Sequence, residues 1–170
     1  MNENMQKLTK ISGVFRILVI AITAFIIAYI GYDYVVHDIL SLSKDELFHE
    51  LWNSSQANRG ILFATQLHFL VSLVGIYWLQ RLLQHFQQGK FFDDETFRCY
   101  LWLIWIKIIN MLFDIVQQTV VGLYHRQIFK NTTIELTIDF GNMITLLLML
   151  LIVYLLKAAK EIEAENKEFI

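Results

Sequence analysis

The sequence predicts an all-α membrane protein: an antiparallel four-helix transmembrane bundle with an outer amphipathic helix and a cytoplasmic C-terminal helical extension. Its 170 residues are 56% hydrophobic, with a mean hydropathy of +0.47, whereas soluble domains are usually about 45–50% apolar. The chain has no proline, and four apolar runs approach the roughly 20 residues that a helix needs to cross about 30 Å of hydrocarbon. These observations favour membrane-spanning helices over a soluble core.

A single integral membrane domain is predicted over residues 1–170, with four spans. Arg16 and two preceding lysines resemble the start of a signal peptide. However, the first apolar run continues past Tyr29 without a small-residue cleavage pattern, so we expect this span to be retained. The spans cover about residues 14–36, 61–83, 100–123 and 137–156.

The distribution of lysine and arginine predicts that both termini face the cytoplasm, because these residues are enriched in cytoplasmic segments of membrane proteins. The N-terminus, the loop between the second and third spans and the C-terminus carry Lys7, Lys10, Arg16, Arg81, Lys90, Arg98, Lys157, Lys160 and Lys167. The other two loops carry only Lys44, Arg59, Arg126 and Lys130. We therefore expect a multi-pass protein of the plasma membrane, which is the inner membrane in a bacterium.

The loop between the first two spans contains a predicted amphipathic helix. The segment 43–46, with sequence SKDE, matches a capping box at a helix N-terminus. Leu47, Phe48, Leu51 and Trp52 then fall on one helical face. One interpretation is a helix that senses a ligand or partner. The favoured one is a short helix that lies on the outer membrane interface.

The loop between the second and third spans is predicted to be a tight turn. Gly89 can end one helix in the left-handed conformation, and Asp93 can cap the next. So short a connection makes these spans antiparallel neighbours. After the fourth span the helix is predicted to continue over residues 157–170. Its candidate partner-binding residues are Glu161, Ile162, Glu165 and Phe169.

The third span is apolar overall but carries polar residues along one side. A charge at mid-bilayer costs about 2.5–3.5 kcal/mol, so this side is expected to face protein or water. Lys107 leans toward the cytoplasmic boundary, as helical side chains do, and is interpreted as a snorkelling inner-boundary charge. The stripe consists of Lys107, Asn110, Asp114, Gln117, Gln118 and His125.

Asp114 is not explained by snorkelling, and polar residues at similar predicted depth define a candidate intramembrane cluster. One interpretation is structural, with interhelical hydrogen bonds of about 0.6–2 kcal/mol each holding the helices in register. The other is functional, since a histidine and a carboxylate at mid-depth can form a proton-responsive or ligand-binding site. The structural interpretation is favoured. The cluster consists of His68, Asn110, Asp114, Asn142 and Thr145.

The remaining motifs argue against catalysis. Cys99 is the only cysteine, which excludes an intrachain disulfide and a thiolate zinc site. No phosphate-binding glycine loop, GxSxG elbow or HExxH helix is present, and one histidine with one aspartate is too few for a metal site. The net charge of -2 gives no reason to expect direct nucleic-acid binding. We expect no enzyme activity, no catalytic residue, no metal and no cofactor.

Two stretches resemble the bacterial membrane family known as domain of unknown function 2975. They are residues 88–95, QGKFFDDE, and residues 159–170, AKEIEAENKEFI. The resemblance implies a four-span protein of this length, with a Gly-x-x-Phe turn before the third span and a terminal Glu-Leu-x-x-Glu-Asn-type tail. It implies no catalytic residue. Members are often encoded beside a small helix-turn-helix regulator, which implies a protein partner for the membrane component.

The leading functional hypothesis is a non-enzymatic inner-membrane protein that senses or binds something and acts through a partner protein. Its cytoplasmic contact surfaces would be residues 84–98 and 157–170. The alternative is a subunit of a small transporter or channel that uses the His68 and Asp114 layer. Because four spans are few for a transport path, the alternative requires a homo-oligomer, while membrane lipid is the expected surrounding in both cases.

Overall fold

The computed structural model describes residues 3–38, 46–130 and 139–168, except for the side chains at 3–5 and 163–168. Within these ranges every regular element is an α-helix, which confirms the all-α fold class and the transmembrane helical bundle. The helices are α1 (Glu3–His37), α2 (Glu46–Asn53), α3 (Arg59–Thr65), α4 (His68–Gln87), α5 (Asp94–Phe129) and α6 (Phe140–Glu168).

Among the described residues, four helical segments are long and apolar enough to cross a membrane, so the chain is a multi-pass integral membrane protein. They are Gln6–His37, Arg59–Gln87, Asp94–Phe129 and Phe140–Ile162. Each contains the corresponding predicted span, apart from the first three positions of the fourth: Asp139 precedes the helix, and positions 137–138 lie outside the described residues. At 1.5 Å per residue, the 35 residues of α1 and the 36 of α5 are each more than about 50 Å long. Both helices therefore exceed the roughly 30 Å hydrocarbon core.

The second span is not one continuous helix, which differs from the sequence prediction. α3 ends at Thr65 and α4 begins at His68. Across the break, the backbone N–H of Gln66 bonds to the Phe63 oxygen at 3.0 Å and that of Leu67 to the Ala64 oxygen at 3.3 Å. The Thr65 hydroxyl donates to the Leu62 oxygen at 2.7 Å, a local side-chain bond of the kind that bends helices. The apolar pattern alone did not show this interruption.

The chain forms two compact units. The turn unit consists of Met1–Val19, Val74–Ile108 and Asp139–Ile170. The cap unit consists of Ile20–Leu73 and Ile109–Ile138. The prediction of a single domain over the whole chain stays a prediction.

The cap unit contains a hydrophobic core in which α2 packs against α3 and α5. Phe48 and Leu51 of α2 are fully buried, and they share this core with Leu62 of α3 and Val121 of α5. Burying such a side chain completely stabilises a fold by about 1.5–3 kcal/mol. The apolar face of α2 therefore contacts protein, in contrast to the favoured interpretation of a helix lying on the membrane interface. The predicted capping box at 43–46 falls largely outside the described residues.

Polar contacts also connect the helices of the cap unit. The Trp52 indole Nε1–H donates to the Asp38 carbonyl oxygen at 2.7 Å. Arg59 forms an ion pair with the Asp38 carboxylate at 2.8 Å, and its guanidinium carbon lies 5.2 Å from the centroid of the Trp52 ring. The Asn58 backbone N–H donates to the Tyr124 hydroxyl at 2.7 Å. These bonds connect α2, α3 and α5 with the residue that follows α1.

In the turn unit, α4 and α5 approach closely through small and aromatic residues. A Cβ atom on Gly75 would lie 3.1 Å from Ile106 Cγ2, so the two helices approach closely at this glycine. Further along, the rings of Trp78 and Trp102 stack with centroids 5.3 Å apart. By contrast, a Cβ on Gly31 of α1 would meet nothing within 4 Å among the described residues, so no described helix packs closely against Gly31.

Candidate functional site

The polar stripe of α5 is divided between the two units. Lys107 belongs to the turn unit, where its ammonium group donates a hydrogen bond to the side-chain oxygen of Asn142 on α6. This cation has a neutral interhelical partner, because α6 begins beside this part of α5. The prediction that Lys107 is a snorkelling inner-boundary charge stays a prediction.

Two members of the predicted cluster lie at the start of α6. The Asp139 carboxylate accepts bonds from the backbone N–H groups of Gly141 at 2.8 Å and Asn142 at 3.2 Å, which caps the helix. The Thr145 hydroxyl donates to the Gly141 oxygen at 2.8 Å. Asn142 and Thr145 therefore belong to the turn unit, with Lys107 as the α5 side chain that Asn142 contacts.

The other three members, His68, Asn110 and Asp114, lie in the cap unit. His68 Nδ1 is 3.2 Å from the Thr65 carbonyl oxygen across the helix break. The side-chain oxygen of Asn110 is buried, and it has no hydrogen-bond partner in the described part of the chain. Asp114 is half-buried. The predicted set of five is therefore distributed over both units, with three residues in one and two in the other.

The helix register in the cap unit places His68 and Asp114 at similar depth. The second span and α5 run antiparallel, with Asn58 bonded to Tyr124 and Leu62 in the same core as Val121. Because the helices are antiparallel, each residue further along the second span lies beside a residue one position earlier in α5. His68 is therefore level with about position 114. Among the described residues, however, neither a hydrogen bond nor an ion pair joins His68 to Asp114.

The sequence analysis missed an interhelical pair between His125 of α5 and Glu50 of α2. His125 Nε2 lies 2.8 Å from Glu50 Oε2, and the imidazole stacks on Phe129 with centroids 4.4 Å apart. His125 is 5% exposed although it lies near the end of a span. The signal was available in part, because His125 belonged to the polar stripe, but nothing in the sequence paired it with a residue of the outer loop.

The turn between α4 and α5 is well defined. Gly89 has a φ of 77°, as its predicted helix-ending role requires, and the Lys90 backbone N–H bonds to the His85 oxygen at 3.0 Å. The Thr96 hydroxyl, in the first turn of α5, donates to the Lys90 oxygen at 2.7 Å. These contacts hold the backbone of the turn that precedes α5 in one conformation.

The C-terminal helix returns to this turn. Lys160 Nζ lies 2.5 Å from Asp94 Oδ1 and 5.4 Å from the centroid of the Phe97 ring. Nearby, His85 Nε2 lies 3.6 Å from Glu95 Oε2. Residues 84–98 and 157–162 therefore meet and form one surface, which we call the turn–tail surface.

Of the four predicted partner-binding residues, Glu161 and Ile162 are exposed on this surface. The side chain of Glu165 and the whole of Phe169 lie outside the described residues. The carboxylates of Asp94 and Glu95 are also mostly exposed. The surface thus presents acidic groups next to an apolar side chain.

A family model described as a protein of unknown function, DUF2975, matches residues 3–170. The chain belongs to this family. The family resemblance stated from the two short stretches is thereby confirmed, and the four candidate membrane helices fit the implied four-span architecture. No curated protein and no solved structure matches the chain.

Proposed function

We propose that this protein is a non-enzymatic plasma-membrane protein that senses or binds a signal and acts through a partner protein at the turn–tail surface. A small helix-turn-helix regulator is the kind of partner that the family resemblance implies. With both termini cytoplasmic, as the lysine and arginine distribution predicts, this surface faces the cytoplasm.

The single observation that carries the proposal is the joining of the α4–α5 turn and the C-terminal helix by Lys160 and Asp94. Each segment alone is a short polar stretch beside a span. Together they form a continuous surface whose acidic groups are solvent-accessible, and Ile162, 60% exposed, adds an apolar contact. Protein interfaces combine an apolar centre with a polar rim in this way.

The experiment compares proteins captured by the full-length chain and by a chain that ends after Lys160, both purified from membranes after cross-linking. We expect the truncated chain to insert normally but to lose its cytoplasmic partner. An identical set of captured partners would remove the proposal.

Exchanging the two charges tests the ion pair between Lys160 and Asp94 itself. Lys160→Asp places like charges together, so partner capture should fall. The double variant Lys160→Asp with Asp94→Lys restores opposite charges, so capture should recover. Lys157→Ala is the matched control, because Lys157 is an exposed cation of the same helix three residues earlier.

A second candidate function is favoured by the break at Gln66 and Leu67. Interrupted membrane helices are tolerated where the backbone lies in protein or lines a cavity, and transporters use them at ion sites. The break directly precedes His68, which is level with Asp114. These features support a small oligomeric transporter or channel subunit that uses this layer.

The two candidates differ in what Asp114→Asn does. In proteoliposomes with an internal pH dye, the transporter candidate requires pH-dependent proton flux that this variant abolishes. The partner-protein candidate requires no flux from either protein. Flux that persists unchanged in Asp114→Asn contradicts the use of this layer.

A further inference from the structure

The face of α4 and α5 near their shared turn carries an aromatic platform with one guanidinium on it. Trp78 and Trp102 stack at 11° between ring planes, and Tyr77 meets Trp78 edge-on with centroids 5.8 Å apart. Tyr77 is 59% exposed and Trp102 is 48% exposed, so the platform is open on its outer side. The Arg81 guanidinium carbon lies 5.5 Å from the centroid of the Trp78 ring.

Among the described residues, no carboxylate neutralises the charge of Arg81, which is exposed. Three other cations in this unit have polar partners: Lys160 pairs with Asp94, Lys107 bonds to Asn142 and Arg16 donates to Gln87. Arg81 therefore presents free guanidinium N–H donors in a fixed orientation, because stacking on an indole limits its rotation.

The distance of this group from the helix ends at the α4–α5 turn suits the headgroup region. Arg81 lies six residues before the end of α4, about 9 Å along the axis, and Trp102 lies about 12 Å beyond the start of α5. Tryptophan and tyrosine prefer this boundary between hydrocarbon and water. A guanidinium at the same depth can reach a phosphate while its stem stays among apolar groups.

We propose that Arg81, with the platform of Tyr77, Trp78 and Trp102, binds the phosphate of an anionic phospholipid headgroup. Guanidinium and phosphate oxygens form paired, charge-assisted hydrogen bonds, which are roughly twice as strong as neutral ones. The rings contact the glycerol backbone and the first acyl carbons. An anionic lipid is favoured over a zwitterionic one, since the attraction of a basic group to a membrane surface depends on the net charge of the lipid.

The test uses the purified full-length protein in detergent with phosphatidylglycerol, phosphatidylcholine or inorganic phosphate added, and measures the bound molecules by native mass spectrometry. We expect about tenfold tighter binding of phosphatidylglycerol, and a loss of that preference in Arg81→Gln. Arg98→Gln is the matched control, since it removes the same charge from an exposed position on the adjacent helix and should keep the preference. Quenching of tryptophan fluorescence by phosphatidylglycerol with brominated chains locates the lipid at the indoles.

Three outcomes would overturn the proposal. They are an unchanged lipid preference in Arg81→Gln, an equal loss in Arg98→Gln, and binding of inorganic phosphate as tight as that of the lipid. If Arg81→Gln fails to fold, Arg81→Lys decides. Lysine keeps the charge but loses the planar stack and the paired donors, so the preference should fall by several-fold, and full retention contradicts the role of the guanidinium.

Discussion

Replacing Phe48 by alanine tests whether α2 is part of a protein core or only rests on the membrane. Phe48 is fully buried in the cap unit and stacks on Trp52 with centroids 6.0 Å apart. Removing a buried phenylalanine side chain typically costs about 3–5 kcal/mol, which combines lost burial with the cavity left behind. Every 1.4 kcal/mol is a factor of about ten, so the equilibrium for detachment of α2 should shift by at least about a hundredfold.

Hydrogen exchange read by mass spectrometry measures this change directly. The protection factors of the α2 amides should fall by about a hundredfold. If the free energy of opening of α2 is smaller than the cost of the substitution, protection is lost completely. Amides in the middle of α5 should stay protected. Val35→Ala is the control, because Val35 is 82% exposed on α1 and its truncation should change stability by less than about 0.5 kcal/mol. Unchanged exchange of α2 in Phe48→Ala would refute the packed cap.

The remaining predictions concern helix contacts. Gly75→Leu should destabilise the protein by about 1–3 kcal/mol, because a Cβ there already lies 3.1 Å from Ile106 Cγ2, whereas Gly31→Leu should be nearly neutral in open space. Denaturant unfolding in mixed micelles compares the two, and equal midpoints would contradict the close approach. Glu50→Gln should weaken the bond to His125 by about 1 kcal/mol, since Glu50 is 57% exposed. We expect faster hydrogen exchange of the α2 amides in Glu50→Gln. If this increase is larger than in Phe48→Ala, the polar contacts and not the hydrophobic core stabilise the cap unit.

The sequence was sufficient for the elements that depend on local pattern. Continuous apolar runs define α1, α5 and α6 as spans, because a membrane helix satisfies all its backbone groups within the segment. The turn at Gly89 was also predictable, because a left-handed φ at the end of a helix strongly favours glycine. Phe48, Leu51 and Trp52 were recognised as one helical face, since the period of the helix fixes which residues share a side.

What that face contacts was decided only by the tertiary structure. The same pattern fits a helix lying on lipid and a helix packed on protein, because both environments are apolar. The presence of Leu62, Val121 and Tyr124 beside it could not be read from α2 itself. The pairing of Lys107 with Asn142, of His125 with Glu50 and of Lys160 with Asp94 likewise depends on which residues distant in the chain become neighbours.

The sequence by itself therefore determined which segments are apolar enough to cross a membrane, and thus that this chain is a multi-pass membrane protein. The partners of its polar groups were decided by the tertiary structure. The physical reason is that transfer into the bilayer depends on the summed hydrophobicity of about 20 consecutive residues, whereas a hydrogen bond depends on two atoms coming within about 3 Å. The first quantity is contained in a window of sequence, and the second exists only after the helices have packed.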